Sequence, residues 1–303
     1  MLRHLLLYLS QAGWARAFVT HFFLARRVAL RFVAGETLAD ALSITRDLNA
    51  KGLLVTLDYL GESVQKAEDT QEVVQTYCEM LHHIHTDNLQ ASVSLKLTHL
   101  GLDINEELCL NNLRQILTAA GDIPVTIDME SSDYTDPTLN VFRTMHTEFK
   151  NVGTVIQAAL RRSSEDMRQL ASEGARIRLC KGAYLEPEAV AFPEKPDVDA
   201  HYVSIMDDFL QHTPPAYLDI ATHDEKMITA AMNSIQKHDA SQDGYEFQML
   251  YGIRSSRQLE LVSAGYKMRV YVPFGTAWYP YFMRRLAERP ANLWFFAKSL
   301  FSR

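Results

Sequence analysis

A chain of 303 residues with 47% hydrophobic and 22% charged content can bury a large core, either as two domains or as one α/β barrel. Its formal net charge of -7 and the lack of a long basic block exclude nucleic acid as the main partner, because neutralising phosphates needs clustered Lys and Arg. Cys78, Cys109 and Cys180 are an odd count without a Cys-x-x-Cys pair, which points to a reducing compartment and away from a disulfide framework or a structural zinc site.

Residues 1–33 carry Arg3, Arg16, Arg26, Arg27 and Arg31, with no acid before Glu36 and a short apolar run from Leu5 to Leu9. The run is too short for a secretory signal, although Ala15-Arg16-Ala17 mimics a cleavage site. The charge bias fits a transit peptide, and it fits equally a basic helical pair packed on the rest of the chain or lying on a membrane surface. The reading adopted is a retained helical segment over residues 1–45, packed on a catalytic unit formed by residues 46–303. No stretch reaches the roughly 18 apolar residues that span a bilayer, so a cytoplasmic protein is expected, with peripheral contact at the inner face of the membrane as a further option.

From Gly52 onward, short β-rich runs alternate with helical periodicity. The runs are Leu53–Leu57, Ser92–Leu97, Pro124–Met129, Thr154–Ala158, Ala175–Cys180, Ala216–Ala221, Tyr245–Leu250 and Met268–Val272. Between them, Thr70–His85, Glu106–Ala120, Asp136–Lys150, Ser164–Ser172, Val198–Gln211, Lys226–His238 and Ser255–Ala264 carry apolar residues at helical spacing. Such alternation implies parallel strands with right-handed crossovers, and eight units close into a (β/α)8 TIM-like barrel with extra N-terminal helices. A doubly wound sheet is the competing fold. It loses ground because no Gly-x-Gly occurs anywhere in the chain.

In the fifth run, Ile177 and Leu179 alternate with Arg176 and Arg178 before the pattern breaks into Lys181-Gly182-Ala183-Tyr184. This reads as a strand entering a turn where Gly182 permits close approach and two cations stand at the carboxyl end. Residues Pro187–Pro196 suggest a long loop on the same face. The other strand ends present Asp58 and Glu62, Lys96, Asp128, Gln157, Thr222 and His223, Gln248, and Tyr271. Each has a bland explanation, since Asp58, Glu62 or Asp128 can cap a helix and Lys96 can be solvated. Polar groups at nearly every strand end nevertheless favour an enzyme over a structural barrel.

His82, His83 and His85 offer one same-face pair and no matching carboxylate, so they read as a surface cluster and no metal is assigned. The last helix, around Tyr281–Arg289, follows the eighth strand and carries adjacent Arg284 and Arg285. These point about 100° apart, so both reach one ligand only near their shared edge, where forked donors match a carboxylate.

Seven motifs in order carry a resemblance: Leu57-Asp58-Tyr59-Leu60-Gly61-Glu62, Ser94-Leu95-Lys96-Leu97-Thr98, Ile127-Asp128-Met129-Glu130, Arg178-Leu179-Cys180-Lys181-Gly182-Ala183-Tyr184, Ala221-Thr222-His223-Asp224, Glu246-Phe247-Gln248-Met249-Leu250-Tyr251-Gly252, and Tyr281 through Glu288. With them the chain resembles the short monofunctional bacterial proline dehydrogenases from end to end. The resemblance implies a distorted (β/α)8 barrel with non-covalent FAD that oxidises L-proline to Δ1-pyrroline-5-carboxylate, the first step of proline catabolism. It also implies a membrane quinone as electron acceptor, with the basic N-terminal helices as one docking surface.

By position, the resemblance puts Arg178 beside the flavin N5 and lines the FAD site with Met129, Gln157, Lys181, Gly182, Ala183, Thr222 and His223. Lys96, Arg284 and Arg285 then hold the substrate carboxylate, Asp128 and Tyr271 stand near the reacting ring, and Tyr184, Leu250 and Tyr281 pack on its methylenes. Glu62 matches a gating acid that pairs with Arg284. Two departures bear on flavin affinity: Ala158-Ala159-Leu160-Arg161 replaces a bulkier aromatic pattern after Gln157, and Cys180 replaces the usual Val. A dehydrogenase of a related imino acid such as hydroxyproline, and a non-catalytic amino-acid-binding barrel, are the rival readings.

Overall fold

The structure, a computed structural model, describes residues 31–288. Helix α1 (Leu38–Asn49) leads into β1 (Leu54–Tyr59), α2 (Ala67–Thr86), β2 (Ala91–Leu95), α3 (Glu106–Ala120), β3 (Val125–Ile127), α4 (Thr135–Glu148) and β4 (Val152–Gln157). The second half runs α5 (Ser163–Ser172), β5 (Arg176–Cys180), α6 (Lys195–Leu210), β6 (Tyr217–Ala221), α7 (Glu225–Lys237), β7 (Tyr245–Leu250), α8 (Ser255–Ser263), β8 (Met268–Phe274) and α9 (Trp278–Glu288). The eight strands are parallel and close in sequence order, β1 pairing with β8, so the fold is the (β/α)8 barrel that the alternation predicts.

The ends of several elements differ from those predicted, each for a local reason. β1 and β8 run on to Tyr59 and Phe274 because the two strands pair there, Asp58 with Pro273 and Tyr59 with Phe274. β2 and β3 stop at Leu95 and Ile127, which leaves Lys96, Asp128 and Met129 just past their strands. α6 starts at Lys195 with Pro196 in its first turn, a position that needs no backbone donor, so the loop after β5 spans 181–194 instead of 187–196. Residues 1–30 lie outside those described, and with them most of the expected N-terminal helical segment. Residue 45 falls inside α1, which starts with a capping box in which Asp40 N donates to Thr37 Oγ1 at 3.2 Å and Thr37 N donates to Asp40 Oδ2, also at 3.2 Å. α1 packs against both β1 and β8 and so occupies the outer-ring position where a helix after β8 would close the circle.

That leaves α9 free to do something else. Its Trp278, Tyr279, Phe282 and Met283 form a cluster apart from the main core, packed with Val33, Leu60 and Tyr271. The helix therefore lies across the carboxyl end of the barrel, because Leu60 and Tyr271 belong to the β1 end and to β8.

Alternation along the strands gives the barrel two unlike faces. Val55, Leu57, Val93, Leu95, Ile177 and Leu179 point to the helices and are fully buried. The opposite face is polar and points inward, with Thr56, Ser92, Asp219, Glu246 and Arg269 all buried. Low in the barrel Arg176 donates to Asp219 at 2.7 and 3.2 Å, and Arg269 binds Glu246 at 2.5 and 3.1 Å. Arg176 also lies 2.9 Å from Glu246. Two arginines thus offset two acids, a condition for burying any of the four.

Candidate active site

At the mouth the polar face continues upward. Asp128 Oδ1 accepts from Arg178 Nη1 at 2.6 Å and Ser94 Oγ at 2.8 Å, its Oδ2 accepts from Tyr271 at 2.6 Å, and Lys96 Nζ stands 3.9 Å away. Lys96 also donates to both oxygens of Asp58 at 3.4 Å. Arg178 lies over the Tyr271 ring, 5.2 Å from its centroid. Barrel closure thus joins Lys96, Asp128, Arg178 and Tyr271 in one connected cluster, although they come from four strands.

Neither bland reading of these residues survives the geometry. Asp58 is 0% exposed and caps nothing, and Lys96 is 7% exposed, not solvated. Burial pulls the Lys96 pKa down, but Asp58 and then Asp128 more than reverse this, holding it above the ordinary lysine value as a cation. For Asp58, complete burial raises the pKa and Lys96 only partly offsets it. Asp58 received no role from the sequence, yet it is the acid nearest Lys96.

A second group forms where α9 meets the β1 loop. Arg284 Nη1 donates to both oxygens of Glu62 at 3.2 Å, and its guanidinium lies 5.8 Å from the Tyr184 ring centroid. Burial works against the Glu62 charge, but Arg284 and Lys96 outweigh it and leave its pKa below the usual carboxylate value. Burial raises the Tyr184 hydroxyl to about 12. α2 takes Lys66 as its N-cap, so Glu62 is not the cap of that helix. The Arg285 guanidinium lies over the Tyr281 ring at 5.2 Å. Leu250 N donates to His223 Nε2 at 2.9 Å, which fixes the β6 end against the β7 end.

The ends of β4, β5 and β6 are different in character. Gly182 has φ of 106°, which favours glycine, and a Cβ there would crowd Gln157 Oε1 at 3.0 Å and Ala159 Cβ at 3.2 Å. Gln157 Nε2 donates to the Glu130 carbonyl at 2.7 Å, with Met129 buried beside it in sequence. Lys181 is held by Asp199 at 2.5 Å and Asp224 at 2.9 Å, tying β5 to α6 and α7. Thr222 Oγ1 accepts from Asp224 N at 3.1 Å, and Ala183 continues the half-buried turn.

His99, which follows Lys96 in the Thr98–Leu100 turn, was singled out by no sequence argument. It is 6% exposed, its Nδ1 has no hydrogen-bond partner, and its ring presses on Gly61 so closely that a Cβ there would stand 2.1 Å from Nε2. His99 thus supports the loop that carries Glu62. Burial, then Lys96, lowers its pKa to about 4 from 6.5. A histidine whose folded pKa is depressed binds protons more readily when unfolded, so its contribution to stability is lost as pH falls from 6.5 to about 4. The loss reaches about 3 kcal/mol at the low end. Melting profiles of the parent and His99→Gln are expected to converge across that window, and parallel profiles would contradict the assignment.

The proline dehydrogenase family model matches residues 41–298. Proline dehydrogenase 1 of Bacillus subtilis (strain 168) is 44% identical over 306 residues, covering 99% of each chain. Proline dehydrogenase of Deinococcus radiodurans is 38% identical over 281 residues, covering 90% of each. Among solved structures, proline utilization A from Bdellovibrio bacteriovorus, inactivated by N-propargylglycine, superposes with a TM-score of 0.82 at 26% identity, over 88% of this chain and 33% of that one. A polar barrel mouth under a cationic helix, together with these matches, leads to one assignment: the chain belongs to the proline dehydrogenase family and matches its short members along nearly their whole length.

Proposed function

We propose that this site oxidises L-proline to Δ1-pyrroline-5-carboxylate using non-covalently bound FAD, with a membrane quinone as the final acceptor. The observation that carries the reading is the pairing, in one mouth, of a cation set suited to a carboxylate with a buried guanidinium nitrogen that has no partner. That nitrogen is Arg178 Nη2. Buried donors without partners are rare, and a flavin ring edge offers the acceptor this one lacks. The open backbone turn at Gly182, with φ of 106°, lets a large ligand approach in the same place.

Bound FAD supplies the two-electron acceptor for the hydride leaving proline Cδ. Met129, Gln157, Arg178, Lys181, Gly182, Ala183, Thr222 and His223 would hold it along the β3 to β6 ends. Lys96, Arg284 and Arg285 bind the proline carboxylate and so orient the ring, with Asp128 fixing Arg178, Lys96 and Tyr271 in register. Tyr184, Leu250 and Tyr281 enclose the methylenes and exclude water. Substrate turnover removes two hydrogens, one as hydride from Cδ and one as a proton from nitrogen, and mass analysis of the product tests that balance.

Glu62 closes the site through its pair with Arg284. Glu62→Ala is expected to leave FAD bound and the melting temperature near that of the parent, while kcat/KM falls by about tenfold or more, the scale of one charge-assisted contact. A variant that melts lower yet turns over proline normally would remove Glu62 from the mechanism. Among the described residues no helix is long and apolar enough to cross a membrane. Quinone contact is assigned to the basic residues 1–33 as a peripheral docking surface, tested by vesicle flotation of the full chain against one lacking those residues.

A further inference from the structure

We propose that Gln248 is a positioning residue: anchored from below by Glu246, it fixes the plane of Arg178 and therefore the direction of its unpartnered Nη2. The inference rests on the reading that Arg178 faces the flavin.

The anchor lies in the charged layer low in the barrel. Glu246 is 1% exposed and is gripped by Arg269 at 2.5 and 3.1 Å and by Arg176 at 2.9 Å. Arg269 is itself fixed, donating Nη1 to the Val55 carbonyl at 2.8 Å and to Ser92 Oγ at 3.1 Å. Burial alone would raise the Glu246 pKa, and Arg269 and Arg176 instead bring it to about 2, so it is an acceptor at any working pH.

Gln248 is 4% exposed and stands one layer higher on β7, two residues on and on the same inward face. Its Nε2 donates to Glu246 Oε1 at 2.8 Å, and its Oε1 accepts from Arg178 Nε at 2.7 Å. The amide has no second orientation available. An ionised Glu246 can only accept and a guanidinium can only donate, so turning the amide over would set oxygen against oxygen and N-H against N-H.

Arg178 is then held at two corners of a rigid planar fork. Nε is fixed by Gln248, and Nη1 by Asp128 at 2.6 Å and Ser94 at 2.9 Å. With those two nitrogens placed, the direction of the third is determined by covalent geometry alone. Asp128 offsets the charge of Arg178, but attachment at the Nη1 corner alone leaves the fork free to rotate about it. Gln248 removes that rotation, and Glu246 acts on the site only through it.

The experiment compares Gln248→Met, Gln248→Glu and Arg178→Met as FAD-loaded proteins, measuring the midpoint potential of the bound flavin, its dissociation constant, and kcat and KM for proline. Gln248→Met keeps the volume and removes both hydrogen bonds. It is expected to move the potential in the same direction as Arg178→Met, toward lower values, and to lower kcat by about tenfold with the proline KM within about twofold of the parent. Gln248→Glu keeps the acceptor for Arg178 Nε and can still donate to Glu246 while its new carboxyl is protonated. Parent-like behaviour is therefore expected at acid pH and is lost as pH rises, a dependence the parent lacks. This second variant also carries the test should Gln248→Met fail to fold. Parental potential and kcat in Gln248→Met, or in Gln248→Glu at every pH, with a shifted Arg178→Met, would overturn the inference and leave Gln248 as core filling. An unshifted potential in Arg178→Met would instead refute the placement of Arg178, and this proposal with it.

Discussion

Asp128→Asn is expected to lower kcat/KM for proline by roughly a hundredfold to a few thousandfold, the range that corresponds to about 3 to 5 kcal/mol for breaking a buried ion pair from one side. The carboxylate receives Arg178, Ser94 and Tyr271 within 2.8 Å, with Lys96 at 3.9 Å. Every one of these neighbours is presented as a donor. An amide of the same size must turn its NH2 toward at least one of them, and it leaves Arg178 without a counter-charge. Lys96 still has Asp58, so part of the cluster persists and the barrel is expected to fold. Steady-state kinetics and melting temperature measured together check this. Lower stability with parental kcat/KM would make Asp128 a packing residue only.

Arg284→Met is expected to raise the proline KM by about 10- to 100-fold while FAD stays bound, the scale of a lost charge-assisted contact of about 1.5 to 3 kcal/mol. Its guanidinium faces Glu62 and Tyr184, whereas that of Arg285 lies over Tyr281. The two arginines therefore approach from either side of the helix edge, as their angular separation requires, and their substitutions should differ. Arg284→Met also removes the partner of Glu62, so kcat falls with it. Arg285→Met should act on KM alone. Parental KM in both variants would sink the carboxylate assignment.

Strands and helices were legible because a closed parallel barrel imposes a period of two on its strands and 3.6 on its helices, and both periods are written in the side chains. Alternation does not say which face turns inward. Arg178 read equally well as a cation at a solvated strand end, and only closure of the barrel puts Arg178 against Gln248 and Arg176 against Asp219 and Glu246. A clue was present: the strands of a parallel barrel are covered on both faces, so polar residues alternating within them must be inside and must be paired.

The site divides in the same way. Motif matches named Lys96, Asp128, Arg178 and Arg284, the family resemblance added Tyr271 by position, and the structure brings all five into the mouth. Asp58 and Gln248 were noted at strand ends without a role, because their partners Lys96 and Arg178 are fixed by register between strands and not by nearness along the chain. His99 gave no signal, since its contact with Gly61 depends on a loop conformation that no periodicity encodes. Lys181 was marked by its charge at a strand end, but its ion pairs with Asp199 and Asp224 join β5 to α6 and α7 and could not be read from spacing.

The central claim, flavin-dependent oxidation of proline in this barrel mouth, is tested most directly by one anaerobic spectrum. FAD-loaded protein is titrated with L-proline and the visible flavin absorbance is followed. The account predicts stoichiometric bleaching on adding proline, with colour restored by a soluble quinone and slower bleaching in Arg284→Met at the same proline concentration. Yellow protein whose absorbance does not change under saturating proline would contradict it.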